Sequence, residues 1–340
     1  AGGVVSYSAA VKVAAPAVVN IFTTQKVKRQ DNPLLNDPVF REFFGDQLPE
    51  QFSQGPNENS LGSGVIVRAD GYILTNNHVI AQADQIIVAL NDGRRAEAEV
   101  IGTEPDTDLA VIKIELDKLP VLPFKLSGNE VGDVVLAIGN PFGVGQTVTQ
   151  GIISATGRSD LGINTYEDFI QTDAAINPGN SGGALIDVSG NLIGVNTAIF
   201  SQSGGSLGIG FAIPAKVCQQ IMNAILKDGR VVRGWLGISL LPPQRNDVMK
   251  PSEQGVTVAE VLPNGPSAQA GIQRGDKIIM VNDEQITSAS HLINYVALQA
   301  PGSKIRIEVE REGKKQDLEV VVGERKQQQN TSSQYIPLPE

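Results

Sequence analysis

The sequence contains the three side chains that together turn a serine hydroxyl into a nucleophile. Ser181 lies in the glycine-rich segment 179–183, Gly-Asn-Ser-Gly-Gly. His78, one of two histidines, ends one apolar run, and Asp108 begins another. A serine hydroxyl is a weak nucleophile until a base accepts its proton, and an imidazole base needs a carboxylate that fixes its tautomer. The order His, Asp, Ser therefore favours a catalytic triad of His78, Asp108 and Ser181.

The glycines around the serine indicate how a developing oxyanion would be held. Acyl transfer needs backbone N–H groups that converge on the oxyanion, and glycine lets the backbone turn those groups inward. We expect the amides of Gly179 and Ser181 to donate the two hydrogen bonds, with Asn180 between them in the oxyanion hole. Taken alone, the same pattern is also compatible with a tight hairpin turn.

Other carboxylates compete for the role of orienting His78. Asp106 lies two residues before Asp108, and on a strand both would point to the same face. Asp173 is a further alternative. We prefer Asp108 because the apolar run directly after it would bury its neighbours and hold it rigid. If the triad were absent, Asp108 would be a carboxylate at a strand edge and His78 a histidine that caps a turn.

Composition limits the kind of protein this can be. A chain of 340 residues predicts two domains, and 36 glycines and 19 prolines among short valine- and isoleucine-rich runs are typical of a turn-dense β protein. The net charge of −10 argues against nucleic acid as a partner. Two histidines and one cysteine leave no zinc ligand set, so we expect neither metal nor cofactor.

The remaining single residues and termini carry weaker signals. Cys218 excludes an intramolecular disulfide and is expected to be a small buried hydrophobe in a helix. No apolar stretch reaches the roughly 18 residues that span a bilayer. The chain opens on Ala1 instead of Met, which is compatible with removal of a leader or anchor.

Secondary-structure patterns divide the chain. Residues 9–25 and 61–210 are predicted to form successive strands without interleaved helices, which indicates closed barrels or a sandwich. Residues 26–60 interrupt them with prolines and clustered phenylalanines, so this loop either docks on something or is flexible. A helix is predicted over 214–227 and ends at Asp228-Gly229, where we place the domain boundary.

Beyond that boundary the pattern remains mainly β. A helix is expected at about 288–298, and the residues from about 325 onward form a tail rich in glutamine, serine and proline. The predicted β segments are 256–261, 277–281, 305–310 and 317–322.

Four motifs make residues 8–323 resemble the HtrA family of chymotrypsin-fold serine proteases; they lie at 75–79, 107–111, 137–141 and 179–183. The resemblance implies a mainly β fold, with a chymotrypsin-like double β-barrel over 1–228 that contains the long loop 26–60. It further implies a single PDZ domain over 229–324 and a flexible tail over 325–340. His78 would be the general base, Asp108 its orienter and Ser181 the nucleophile, between two perpendicular barrels.

The implied PDZ domain would bind peptide C-termini by adding a strand to a sheet edge. Residues 235–238 resemble the carboxylate-binding loop, which makes the amides of Leu236, Gly237 and Ile238 the candidate donors. The helix at 288–298 would form the other wall of the groove and place His291 or Leu292 near the peptide.

A single PDZ domain and the stretches 83–90 and 151–158 are similar to the DegS-like branch of this family. That branch implies a periplasmic stress sensor, tethered to the inner membrane by an N-terminal segment absent from this chain, and assembled as a homotrimer. C-terminal peptides of misfolded outer-membrane proteins would activate it to cleave a membrane-bound anti-sigma factor. Arg158 resembles the loop arginine that links PDZ occupancy to the active site.

Two other functions remain open. The insertion at 26–60 looks more like the degradative branch, which would make the protein a broad quality-control protease. A peptide-binding chaperone with little protease activity is a second alternative. The chain lacks the Ile-Val-Gly-Gly start through which trypsin is activated, which favours activation by loop rearrangement, a population shift between inactive and active states.

The residues just before the nucleophile suggest the substrate preference. Ala175 and Ile176 are positioned to line the primary pocket of a chymotrypsin fold, and no acid lies there. We therefore expect small or medium apolar residues before the scissile bond. In a matched series of peptide substrates, valine should be cleaved faster than arginine at that position; faster cleavage after arginine would refute this.

Overall fold

The computed structural model describes residues 3, 6–25, 57–141, 145–158, 168–197, 208–242 and 255–325. Residues 26–56 of the predicted insertion and the tail after 325 lie outside this description. The chain divides into two compact units, Ala1–Val231 and Val232–Glu340. Each unit has its own hydrophobic core.

The first unit opens with a helix where the sequence pattern predicted a strand. Helix α1 spans Ser8–Ala14, and a 3-10 turn at Ala15–Ala17 leads into the first strand. The prediction of strand from residue 9 was wrong because the segment is rich in alanine, the best helix former. Ala10 and Ala14, one helical turn apart, are both buried.

Six antiparallel strands then close the first barrel, in the order β1-β2-β3-β6-β5-β4. The turn at Asn91-Asp92-Gly93 joins β4 to β5 in an antiparallel hairpin. The four-residue helix α2, Asn77–Ile80, follows β3 directly. The strands are β1 Val18–Gln25, β2 Asn57–Ile66, β3 Tyr72–Asn76, β4 Gln85–Ala89, β5 Arg95–Glu104 and β6 Leu109–Lys113.

A second closed barrel of six strands follows, in the order β10-β11-β12-β9-β8-β7. Its strands are β7 Val134–Gly139, β8 Thr147–Arg158, β9 Phe169–Thr172, β10 Ala184–Ile186, β11 Leu192–Thr197 and β12 Gly210–Pro214. Two six-stranded barrels in succession confirm the predicted chymotrypsin-like architecture.

Helix α3, Ala215–Asp228, closes the first unit. It ends at Gly229, whose φ of +73° is the left-handed conformation that glycine adopts at helix C-termini. Its apolar face, which includes Cys218, Ile221 and Ile225, packs into the barrel core. Cys218 is fully buried, as expected, and burial raises the pKa of its thiol.

The second unit is an antiparallel sheet with two helices. The sheet has the order β14-β15-β16-β18-β19, with β17 paired to β16, and β13 pairs separately with β20. The predicted strands and helix are present. The elements are β13 Gly234–Trp235, β14 Ile238–Leu240, β15 Val256–Val261, α4 Pro266–Ala270, β16 Lys277–Val281, β17 Glu284–Gln285, α5 Ala289–Ala297, β18 Lys304–Arg311, β19 Lys314–Val321 and β20 Gly323–Glu324.

A buried ion pair ties the turn before β16 to β18. The Asp276 side chain is 1% exposed and accepts hydrogen bonds from Arg311 Nε and Nη2 at 2.8 and 2.7 Å. The Gln273 N–H donates to the same carboxylate at 2.9 Å. Hydrogen bonding by the Arg311 guanidinium, the largest cause, and by the Gln273 amide outweighs desolvation, so the pKa of Asp276 lies below its ordinary value.

Replacing Asp276 by asparagine should destabilise the second unit, because the half-buried Arg311 loses its counter-charge and the charge-assisted hydrogen bonds at this buried position are weakened. We expect the calorimetric Tm of that unit to fall by about 5–10 °C at pH 7. Because folding lowers the pKa of Asp276, its carboxylate stabilises the folded unit at pH values above the unfolded pKa of about 4. The difference in Tm between the variant and the wild type should therefore shrink as pH falls below that value. Asp283→Asn removes an exposed ion pair with Arg306 and is the matched control, with little change expected. Equal effects of the two substitutions would contradict this account.

Candidate active site

Ser181 follows a tight turn in the second barrel. The 3-10 turn Pro178–Asn180 begins after Asn177, whose N–H donates to Asn180 Oδ1 at 2.8 Å. The Asn180 side chain also donates to the Ala175 carbonyl at 3.0 Å, which anchors the turn to the chain just before it. Ser181 leaves this turn in an extended conformation and is 1% exposed.

His78 reaches Ser181 from the first barrel. It lies on α2, and its side chain remains 42% exposed. His78 Nε2 is 3.3 Å from Ser181 Oγ, while Nδ1 is 2.6 Å from Asp108 Oδ2. The His78 backbone N–H also donates to Asp108 Oδ1 at 2.9 Å. The three predicted side chains are therefore joined in the order nucleophile, imidazole, carboxylate.

Asp108 occupies a strained turn, whereas the sequence suggested the start of a strand. Its φ of +59° lies in the left-handed region, which aspartate adopts more readily than most residues. The turn ends just before β6, and the Asp108 carbonyl accepts from the Asn77 N–H at 3.0 Å and from Asn76 Nδ2 at 3.3 Å. This conformation directs both carboxylate oxygens at His78.

The two competing residues make other contacts. The Asp106 N–H donates to Glu104 Oε1 at 3.1 Å within the same turn. Asp173 Oδ1 accepts from the Ile152 N–H at 2.7 Å, on strand β8. Asp108 is thus the carboxylate that the structure places on the imidazole.

Comparison with known proteins identifies the family. Residues 62–195 match the trypsin-like peptidase domain and residues 234–322 the PDZ domain. A protein of Pseudomonas putida (strain GB-1) named probable periplasmic serine endoprotease DegP-like is 44% identical, over 93% of this chain and 70% of its own length. The solved HtrA-type protease AlgW with decapeptide is 55% identical with a TM-score of 0.81, over 95% of this chain and 99% of its own. The serine endoprotease from Yersinia pestis is 42% identical with a TM-score of 0.72, over 96% and 100%. The chain belongs to the HtrA family of serine proteases.

In this HtrA protease, Ser63 on β2 connects the first barrel to the nucleophile segment. Its hydroxyl donates to the Gly179 carbonyl and accepts from the Asn140 N–H, both at 2.9 Å. Its backbone N–H donates to the Ser181 carbonyl at 2.9 Å, and its carbonyl accepts from Thr75 Oγ1 at 2.8 Å. Because His78 and Ser181 belong to different barrels, these bonds set the distance between them.

Of the two backbone amides expected to donate in the oxyanion hole, that of Ser181 is engaged within the turn. The N–H groups of Asn180 and Ser181 donate to the Asn177 carbonyl at 3.0 and 3.1 Å. An oxyanion could receive the Ser181 N–H only after the bond to Asn177 is released. The predicted donor role of Ser181 therefore requires a rearrangement of residues 177–180, and that of Gly179 stays a prediction.

The two residues expected to line the primary pocket differ in burial. Ala175 is half-buried and its carbonyl accepts from Thr149 Oγ1 at 2.9 Å. Ile176 is 4% exposed and packs in the core of the second barrel. Residues 198–207 lie outside the described residues, so the lining of the pocket stays a prediction.

The predicted carboxylate-binding loop lies beside an edge strand of the PDZ domain. Gly237 has a φ of +69°, a conformation that suits glycine, and β14 begins directly after it at Ile238. The carbonyls of Leu236 and Gly237 accept from the Ser267 and Leu262 amides at 3.1 and 2.9 Å. These bonds fix the orientation of both peptide units next to the edge of the sheet.

Helix α5 is the other wall of the predicted groove, and its two candidate residues differ in burial. Leu292 is 1% exposed and belongs to the domain core. His291 is half-buried; its Nδ1 accepts from the Thr287 N–H at 3.2 Å, and its Nε2 lies 3.2 Å from Glu284 Oε1. Of the two side chains, that of His291 is the more accessible.

The three remaining expectations concern Arg158, metal binding and membrane-spanning helices. Arg158 is the last residue of β8, where its backbone pairs with Phe169, and residues 159–167 are not among the described residues. Within the described ranges, no cluster of histidine, cysteine and acidic residues could hold a metal ion. A search of those same ranges also finds no helix with the length and apolarity needed to cross a membrane.

Sequence reasoning missed Ser63 and Asn76. Asn76 is fully buried and accepts the Ser181 hydroxyl at its Oδ1, 2.6 Å away. Asn76 lies inside the recognised motif 75–79, two residues before His78, whereas Ser63 lies between two glycines outside the four motifs. A polar residue in an otherwise buried strand was the signal that could have marked both.

Replacing Ser63 by alanine should misplace the nucleophile segment, because Gly179 loses a donor and Asn140 an acceptor. We expect kcat on a peptide substrate to fall about 10- to 100-fold with little change in KM, since small errors of position are costly in catalysis. Ser189→Ala, in an exposed turn of the second barrel, is the matched control. Unchanged kcat in the Ser63 variant would show that the hydroxyl does not position the site.

Proposed function

We propose that this protein is a periplasmic endopeptidase of the envelope-stress response, in which Ser181, His78 and Asp108 form the catalytic triad. The observation that best supports this triad is the continuous chain of contacts from Ser181 Oγ through His78 to the Asp108 carboxylate. The periplasmic names of curated relatives and the peptide bound to AlgW support the cellular setting and the regulation.

In the proposed mechanism, His78 Nε2 accepts the proton of Ser181 Oγ as that oxygen attacks the carbonyl carbon of the scissile peptide bond. Asp108 keeps the proton of His78 on Nδ1 and stabilises the imidazolium. The tetrahedral intermediate collapses when His78 returns its proton to the leaving amine, which breaks the C–N bond. Water then attacks the acyl-enzyme by the same proton transfers and regenerates Ser181.

Activation in this proposal completes the oxyanion hole. In the structure the Ser181 N–H is bonded to the Asn177 carbonyl, so a developing oxyanion would lack that donor. A rearrangement of residues 177–180 would free the Ser181 amide, which would then stabilise the negative charge together with the Gly179 amide. Arg158, at the end of β8, is proposed to transmit PDZ occupancy to this turn.

The proposed signal is the free C-terminus of a misfolded outer-membrane protein. Strand β14 lies at the edge of its sheet, so a peptide can pair with it and place its carboxylate at the amides of Leu236, Gly237 and Ile238. His291 on α5 would lie beside the peptide. The proposed substrate is the periplasmic domain of a membrane-bound anti-sigma factor, cleaved by a homotrimer tethered to the inner membrane.

Peptide activation tests this function. Cleavage of an anti-sigma-factor periplasmic domain should rise about 5- to 150-fold on adding a peptide with a hydrophobic C-terminal residue, the range of typical coupling energies. The same peptide with an amidated C-terminus is the matched control and should activate far less, because it lacks the carboxylate. Ser181→Ala should abolish cleavage. Equal stimulation by both peptides would contradict recognition of the C-terminus.

The insertion at 26–60 favours a second candidate, a broad degradative protease. Such an enzyme would digest unfolded casein without added peptide, whereas a dedicated signalling protease should leave casein nearly intact. This comparison distinguishes the two candidates because their chemistry is the same and only the breadth of substrate differs.

A further inference from the structure

Two acceptors among the described residues contact the hydroxyl of Ser181, and its proton can be donated to only one of them at a time. Asn76 Oδ1 lies 2.6 Å from Ser181 Oγ, whereas His78 Nε2 lies 3.3 Å away. Hydrogen bonds between a hydroxyl and an oxygen are usually 2.5–3.0 Å long. The proton therefore lies on the bond to Asn76, and the contact to His78 is the weaker one.

The orientation of the Asn76 carboxamide is fixed by its other end. Asn76 Nδ2 donates to the Asp108 carbonyl at 3.3 Å. A flipped amide would place its oxygen against that carbonyl, so Oδ1 must be the atom that faces Ser181. Asn76 is fully buried at the end of β3, where water cannot replace it as a partner.

An amide oxygen cannot act as the base in this reaction, because it does not take up a proton near neutral pH. While its hydroxyl donates to Asn76, Ser181 cannot transfer its proton to His78. The Ser181 N–H is engaged with Asn177 in the same structure. Both hydrogen-bond donors of the nucleophile are thus directed away from the groups that catalysis needs.

We infer that Asn76 is a positioning residue that holds the Ser181 hydroxyl in a resting orientation, from which it must turn to His78 before it can react. This inference rests on the roles proposed for Ser181 and His78. Asn76 links both ends of the triad, since its oxygen holds the nucleophile and its nitrogen holds the backbone of Asp108. Activation then includes the exchange of one acceptor for the other.

The inference predicts opposite effects of two substitutions on labelling of the unactivated full-length protein by a fluorophosphonate. Asn76→Ala removes the competing acceptor, so the second-order labelling rate should rise about threefold to tenfold, the bias that one hydrogen bond gives an equilibrium. The Asp108 carbonyl still receives the Asn77 N–H in this variant. Asn76→Asp supplies a stronger, charged acceptor and should slow labelling at least about threefold at pH 8.

The matched control is Asn91→Ala, which removes the same side chain from the exposed turn between β4 and β5 of the same barrel. Its labelling rate should equal that of the wild type. Slower labelling of both Asn76 variants would overturn the inference and leave Asn76 a purely structural residue. If Ser181→Ala is labelled as fast as the wild type, the proposed nucleophile itself fails; if only the order of the Asn76 variants is wrong, the triad stands.

A second measurement avoids substituting Asn76. The chain has two histidines, so ¹⁵N-histidine labelling gives a simple spectrum. At alkaline pH, the Nε2 resonance of His78 should be nearly the same in the wild type and in Ser181→Ala, because the resting hydroxyl does not donate to it. A clear displacement on removal of the hydroxyl would show that the bond to His78 is already formed, and would overturn the inference.

Discussion

The active site depends on a small set of hydrogen bonds that cross from the first barrel to the nucleophile segment of the second. His78 and Asp108 are held by the first barrel, and Ser181 by the second, so neither barrel alone contains the proposed triad. Ser63 supplies the link through its hydroxyl, its N–H and its carbonyl. Hydrogen bonds made by a buried residue fix position well, because an unpaired partner would be costly.

Close backbone approach explains why glycines surround these bonds. A Cβ on Gly182, which has a φ of +82°, would lie 2.2 Å from the Ser63 carbonyl oxygen. A Cβ on Gly139, at the end of β7, would lie 2.6 Å from Asn180 Cα. The glycines thus allow Ser181 of the second barrel to approach the first barrel, where Ser63 and Asn76 form hydrogen bonds with it. The same closeness limits Ser181 to a few orientations, which makes exchange between acceptors a discrete event.

The three side chains that the structure brings together, Ser181, His78 and Asp108, could be selected from the sequence because each lies in a distinctive local pattern. The sequence also predicted the strands of the PDZ domain and helix α3, whose apolar residues repeat at the correct spacing. The left-handed turn at Asp108 was not predictable, since its cause is the long-range contact with His78 and Asn77. Ser63 and Asn76 were missed because their partners lie on other elements or in the other barrel. Helix α1 was misread because tertiary burial of its alanines, and their helix propensity, outweighed a short β-like pattern.

The central claim is that Asp108, acting through His78, makes Ser181 the nucleophile. The most direct measurement is the acylation rate of Asp108→Asn beside that of Asp106→Asn, two residues away in the same turn. Loss of the orienting carboxylate should lower the Asp108 variant about 10⁴-fold, as expected when an amide imposes the wrong imidazole tautomer. The Asp106 variant should remain close to the wild type. Comparable rates for the two variants, or a large loss only in the Asp106 variant, would contradict the account.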